Sequence, residues 1–172
     1  MADPLSVITS VIAVGTFAAQ SSKTLYDLVN TIKNAPTEIN AISADAQSLH
    51  SIISSLQSQL VREDIQHVIQ EDVVMLKMLA NLEHPLDSCL KTLDLLILKL
   101  QSHLKHRDEG EDIRFSNVDL KWWFIKGTFK DLMDRLGQNK GTLNIALTAI
   151  TTLSVSYYIS HSSRGVRAEK TF

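Results

Sequence analysis

The sequence predicts an all-α fold, a single bundle of five or six helices in near-antiparallel packing. Three observations predict it. Apolar residues recur in alternating steps of three and four along most of the chain, the spacing of helices packed lengthwise on their neighbours. No stretch of useful length alternates with the period of two that a half-buried strand requires. Glycine and proline number only six and three in 172 residues, which leaves little turn chemistry for an all-β chain.

The first helix opens on Asp3 and Pro4. An aspartate suits the capping position, and proline suits the first turn, where its missing N–H costs nothing. Residues 4–22, PLSVITSVIAVGTFAAQSS, contain no charge. As a helix this segment is about 28 Å long, close to the thickness of a bilayer's hydrocarbon core. No other charge-free stretch is expected to reach that length. The helix continues through Leu25, Tyr26, Leu28, Val29 and Ile32 unless Ser21 and Ser22 break it, and Asn34, Ala35 and Pro36 end it.

A second helix carries a narrow seam of Ile39, Ile42, Ala46, Leu49, Ile53, Leu56 and Leu60. A third is expected over 63–82, with Glu63 and Asp64 at its positive end. His84-Pro85 separates it from a fourth, whose seam is Leu86, Leu90, Leu93, Ile97, Leu100 and Leu104. Leu95, Leu96 and Leu98 widen that apolar face and predict a central position in the core. A charged loop, HRDEGEDIR, spans 106–114. Ser116 then caps a long helix over 116–159, with a weak joint where Gly137 and Gly141 each disfavour helix by about 1 kcal/mol. Its seam runs through Trp122, Phe129, Leu132, Leu136, Leu143, Ala146, Ile150 and Tyr157. The bundle is expected over 1–160, followed by a polar, frayed tail over 161–172.

Composition excludes several functions. A formal charge of −2 lacks the basic surface that non-specific nucleic-acid binding needs. One cysteine, Cys89, permits no intrachain disulfide and no cysteine-based metal site, and suits a reducing compartment. The N-terminal segment has only Asp3 ahead of its apolar run, where a secretory signal carries positive charge.

Chemistry-bearing residues form no recognisable site. There is no phosphate-binding loop; the glycines at 15, 137 and 141 lack its spacing. His103 and His106 share a helix face, but no second ligand pair completes a metal site. The pairs Glu111/Asp112 and Asp131/Asp134 read as solvated loop and helix face rather than catalytic carboxylates, which occupy apolar clefts. No catalytic residue, metal or cofactor is assigned, and no enzyme activity is expected. Trp123 falls off the seam beside Lys121 and Lys126 and is a candidate interfacial or partner contact; the competing reading packs it against the first helix or a loop.

The opening MADPLSVITSVIAV, the stretch SSKTLYDLVNTIKNAPTEINAIS and the stretch KDLMDRLGQNKGTLNIALTAI together resemble the fungal N-terminal domain of STAND (NLR-like) proteins. This is the HeLo-like group, which also covers the N-terminal domain of the azaphilone pigment cluster protein. The likeness runs from Met1 to about Tyr158; its most specific parts are the first six residues and the 136–147 run that holds Leu136, Lys140, Leu143, Ala146 and Leu147. The resemblance implies an effector module of a larger receptor, cytoplasmic at rest. By that likeness it is expected to oligomerise with itself, to pair with a receptor of the same family, and to be recruited to the plasma membrane in programmed cell death or heterokaryon incompatibility. Leu5, Val7, Ile8, Val11, Ile12, Val14 and Phe17 are then the residues expected to meet lipid. The alternative is a soluble homotypic interaction module in which the same helix is simply surrounded by others. Burial on both of its faces is what distinguishes a sequestered helix from an exposed one.

Overall fold

The computed structural model describes residues 3–32, 37–104 and 127–168, with backbone alone at 103, 104, 128 and 160–168. Six helices follow in order among these residues, with no strand: α1 (Pro4–Asn30), α2 (Thr37–Leu60), α3 (Glu63–Glu71), α4 (Val73–Ala80), α5 (Glu83–Leu104) and α6 (Thr128–Ala168). The all-α bundle is as the periodicity predicts.

The four long helices form a square. Packing is closest between α1 and α2, then α1 and α5, while α6 closes the square against α5 and α2. Polar contacts fix the directions. Gln57 reaches Ile12, His50 reaches Ala19 and Ser43 reaches Asn30, so α2 runs antiparallel to α1. Ser10 meets Glu83 and Ser21 meets Asp94, so α1 and α5 run side by side in the same direction. Lys140 pairs with Asp45 on α2, and Tyr158 with Asp64 at the start of α3, just past the C-terminal end of α2, which sets α6 parallel to α2. The bundle is therefore two antiparallel hairpins laid together. The short helices α3 and α4 close the end where α1 begins, and both pack on α1.

The α2 seam is buried as read: Ile39, Ile42, Ala46, Leu49, Ile53, Leu56 and Leu60 all lie in the core. In α5 the buried line is Leu86, Cys89, Leu93, Leu96 and Leu100. Leu90 and Ile97 are half-buried at its border, and Leu95 and Leu98 are exposed rather than central. The most extensive packing between helices belongs to α1, against α2 and α5.

Several boundaries differ from expectation. The helix expected over 63–82 is two helices, because the Asp72 side chain accepts from the backbone N–H groups of Val74 and Met75, at 2.8 and 3.1 Å, and caps α4. Pro85 does not separate helices; α5 starts at Glu83, which puts proline in the first turn, where it is tolerated. Ser21 and Ser22 do not break α1, and α6 runs unbroken through Gly137 and Gly141 to Ala168. Asp3 caps α1 by accepting from Ser6 N–H at 3.1 Å. The Ser116 cap, the 106–114 loop, Trp122, Trp123, His106, Glu111 and Asp112 lie outside the described residues, as does the side chain of His103.

Candidate functional site

The candidate site is α1 and the seat that holds it. Its buried residues are Ile8, Val11, Gly15, Ala18, Ala19, Ser22, Leu25 and Val29. All but Ala19 follow a strict three-four repeat. Large residues stand at the ends of this stripe and small ones in the middle. The small centre lets α2 approach closely: a Cβ built at Gly15 meets Ile53 Cγ2 and Gln57 Nε2 at 3.5 Å each.

Of the seven residues expected to meet lipid, Ile8 and Val11 are fully buried, Val7, Ile12 and Val14 are half-buried against the core, and Leu5 and Phe17 are exposed, at 51% and 59%. One face of α1 is thus sequestered. The other presents two large apolar side chains among Thr9, Ala13, Thr16 and Gln20. Trp123 falls outside the described residues.

Polar tethers run the length of the helix. The Gln57 amide donates to Ile12 O at 3.0 Å and to Thr16 Oγ1 at 2.8 Å. His50 Nδ1 stands 3.0 Å from Ala19 O; a carbonyl only accepts, so that nitrogen carries the proton. Ser10 donates to Glu83 at 3.2 Å and Ser21 to Asp94 at 2.8 Å. Sequence reading missed these tethers. The one available signal was that Ser10 and Ser21 are spaced as Glu83 and Asp94 are, which becomes informative only once α1 and α5 are known to run parallel.

Holding forces can be ranked. Each tether contributes about 0.5–1.5 kcal/mol net. Burial of Ile8, Val11, Leu25 and Val29 contributes roughly 1.5–3 kcal/mol per side chain. Apolar contact therefore dominates the seating of α1.

A second polar cluster fastens the far part of α6. Arg62 donates to both Asp64 oxygens, at 3.2 and 2.8 Å, and to Gln59 at 3.1 Å. It also donates to the Tyr158 hydroxyl, which in turn donates to Asp64 at 2.6 Å. The Tyr158 hydroxyl first, and Arg62 second, hold the Asp64 carboxyl below its ordinary range.

The helix α6 also corrects an expectation. It is a second helix long and apolar enough, by length and composition, to cross a membrane: Phe129–Ile159, beside Pro4–Asn30 of α1. Its many serines and threonines disguise how completely charge is missing, since residues 141–163 contain no Asp, Glu, Lys or Arg.

Burial pushes the Cys89 thiol up to about 12, so it is neither nucleophilic nor a ready ligand. Among the described residues no group of three or more His, Cys, Asp or Glu is placed to hold a metal. Asp131 and Asp134 are exposed on α6. A shallow groove beside α1 is lined by Val14, Ala80, Glu83, His84 and Asp87.

No curated protein and no solved structure matches the chain. The family described as pigment biosynthesis cluster protein PigL N-terminal matches residues 2–161, a span that takes in all of α1 to α5 and α6 as far as His161. The chain belongs to the PigL N-terminal family.

Proposed function

We propose that this domain is a non-enzymatic, membrane-targeting effector module whose α1 moves from the bundle into lipid on self-association. The observation that carries the reading is the two-sided character of α1. It is charge-free over the thickness of a hydrocarbon core, seated by one apolar stripe, and already exposes Leu5 and Phe17 on the other side. Its hydroxyls suit the transfer. Thr9, Thr16 and Ser22 each donate to the carbonyl four residues back, at 2.8, 2.9 and 2.7 Å, which lowers the cost of burying them in an apolar medium. The resemblance to HeLo-like STAND domains supplies the biological setting: a cytoplasmic domain of an NLR-like receptor that reaches the plasma membrane in programmed cell death or incompatibility.

A second reading, a soluble homotypic interaction module, is favoured by the five tethering side chains from α2 and α5 (Ser43, His50, Gln57, Glu83 and Asp94). They fit a helix that stays where it is. Dye leakage from phosphatidylcholine–phosphatidylserine vesicles separates the two. Leu5→Asp and Phe17→Asp are the informative variants, because both side chains are exposed and the fold survives their change; Val11→Asp strikes a buried position and confuses unfolding with loss of lipid entry. The effector reading expects leakage by the wild type and its loss in both variants. Intact vesicles with the wild type, or equal leakage from all three proteins, leave the soluble module as the better account.

A further inference from the structure

The helix α6 has a face that the α1 account does not use. Its buried side is Leu143, Ala146, Ile150 and Ser154. On the opposite side Ile145, Thr148, Thr152, Val155 and Ile159 repeat in steps of three and four and are exposed, Ile145 at 72% and Ile159 at 63%. The charges that bound the neutral stretch are Lys140 and Arg164, about 36 Å apart along a helix axis at 1.5 Å per residue. No charge across the hydrocarbon core and a basic residue toward either edge is the charge pattern of a membrane-crossing helix.

The hydroxyls on this helix add a second argument. Thr148, Thr151, Thr152 and Ser156 donate to the carbonyls of Asn144, Leu147, Thr148 and Thr152, at 2.8 to 3.0 Å. Their donors are satisfied within the helix, as entry into lipid requires. Hydroxyls already bonded at home offer a protein partner few free donors, and entry into hydrocarbon costs them only the hydration of their acceptor lone pairs.

We propose that α6 is a second lipid-entering helix, so that the membrane-active unit is α1 together with α6. The two stand on the diagonal of the square, both flanked by α2 and α5, and run in opposite senses, so they enter as an antiparallel pair. The proposal rests on the effector reading of α1, and the test keeps the two apart.

Leakage from phosphatidylcholine–phosphatidylserine vesicles is compared for wild type, Phe17→Asp on α1, and Ile145→Asp and Val155→Asp on α6, each checked by thermal melting for an intact fold. An aspartate at Val155, near the middle of the 141–163 stretch, is expected to slow leakage by about a hundredfold, and one at Ile145, nearer its edge, by less. Loss in all three variants supports the α1–α6 unit. Loss in Phe17→Asp alone overturns it and leaves the α1 account standing. Loss in the α6 variants alone refutes the paired unit and the α1 account together, and a silent wild type does the same. A Thr152→Cys variant carrying an environment-sensitive dye separates lipid from a second copy of the chain as the occupant. A blue shift that needs vesicles supports lipid entry; one that grows with protein concentration in their absence overturns it.

Discussion

Gly137 and Gly141 lie inside an unbroken helix, and that has a measurable consequence. Both are exposed, and a Cβ added at either meets no atom within 4 Å. Replacing each by alanine therefore brings helix propensity without a steric cost, about 0.8–1.0 kcal/mol per site. The pair together stabilises by about 2 kcal/mol, with small coupling expected because the two methyls only graze one another. For a domain of this size that corresponds to a rise of roughly 4–8 °C in Tm. Thermal melting followed by circular dichroism, with urea unfolding as a second measure, tests it on Gly137→Ala/Gly141→Ala. An unchanged or lowered Tm would mean that the chain uses a true joint there and that α6 is not one continuous helix. Gly15 is the internal control. Its Cβ position stands 3.5 Å from Ile53 and Gln57, an ordinary contact, so Gly15→Ala is tolerated, whereas Gly15→Leu overpacks the α1–α2 contact and costs about 1–3 kcal/mol.

Other outcomes follow from the same geometry. Asp72→Ala removes the α4 cap and costs about 1 kcal/mol, read as a lower urea midpoint at constant slope. Gln57→Leu removes the hydrogen bonds to Ile12 O and Thr16 Oγ1; it costs about 1 kcal/mol, with faster hydrogen exchange confined to the first half of α1. The Asp64 carboxyl is depressed by the Tyr158 hydroxyl and then by Arg62, so the unfolded chain binds the proton more readily and stability rises with pH. The contribution is complete above the ordinary carboxylate range and disappears as pH falls through the lower folded value. Wild type should therefore exceed Asp64→Asn in urea midpoint at neutral pH and converge with it in acid, and a gap that persists in acid contradicts the assignment.

The α2 seam was legible in sequence because a three-four repeat states which face is buried, and every seam residue read there lies in the core; on α5, where apolar residues crowd the helix, the buried line runs instead through Cys89 and Leu96. Boundaries were less legible where one side chain decides them. Asp72 stands directly before the apolar run Val73, Val74, Met75 and Leu76, a capping signal hidden inside what reads as one continuous helix. Pro85 reads as a stop, yet it is harmless two residues into α5. Partner choice was not legible at all, because periodicity says that a face is covered and not by what. The parallel pairing of α1 with α5, and with it the Glu83 and Asp94 tethers, had to come from the structure. The second charge-free stretch was in plain sight, but its serines and threonines made it look polar while their hydroxyls are spent on the helix's own carbonyls.

The most direct test of the account is whether α1 must leave its seat. Ser21 Oγ and Asp94 Oδ1 are 2.8 Å apart, so Ser21→Cys/Asp94→Cys can be joined by a short, reductant-cleavable bis-thiosulfonate linker, with the buried Cys89 thiol out of reach. Vesicle leakage by the linked protein, measured before and after reduction, should be absent and then restored. Leakage by the linked protein at the unlinked rate would show that the bundle acts with α1 still in place.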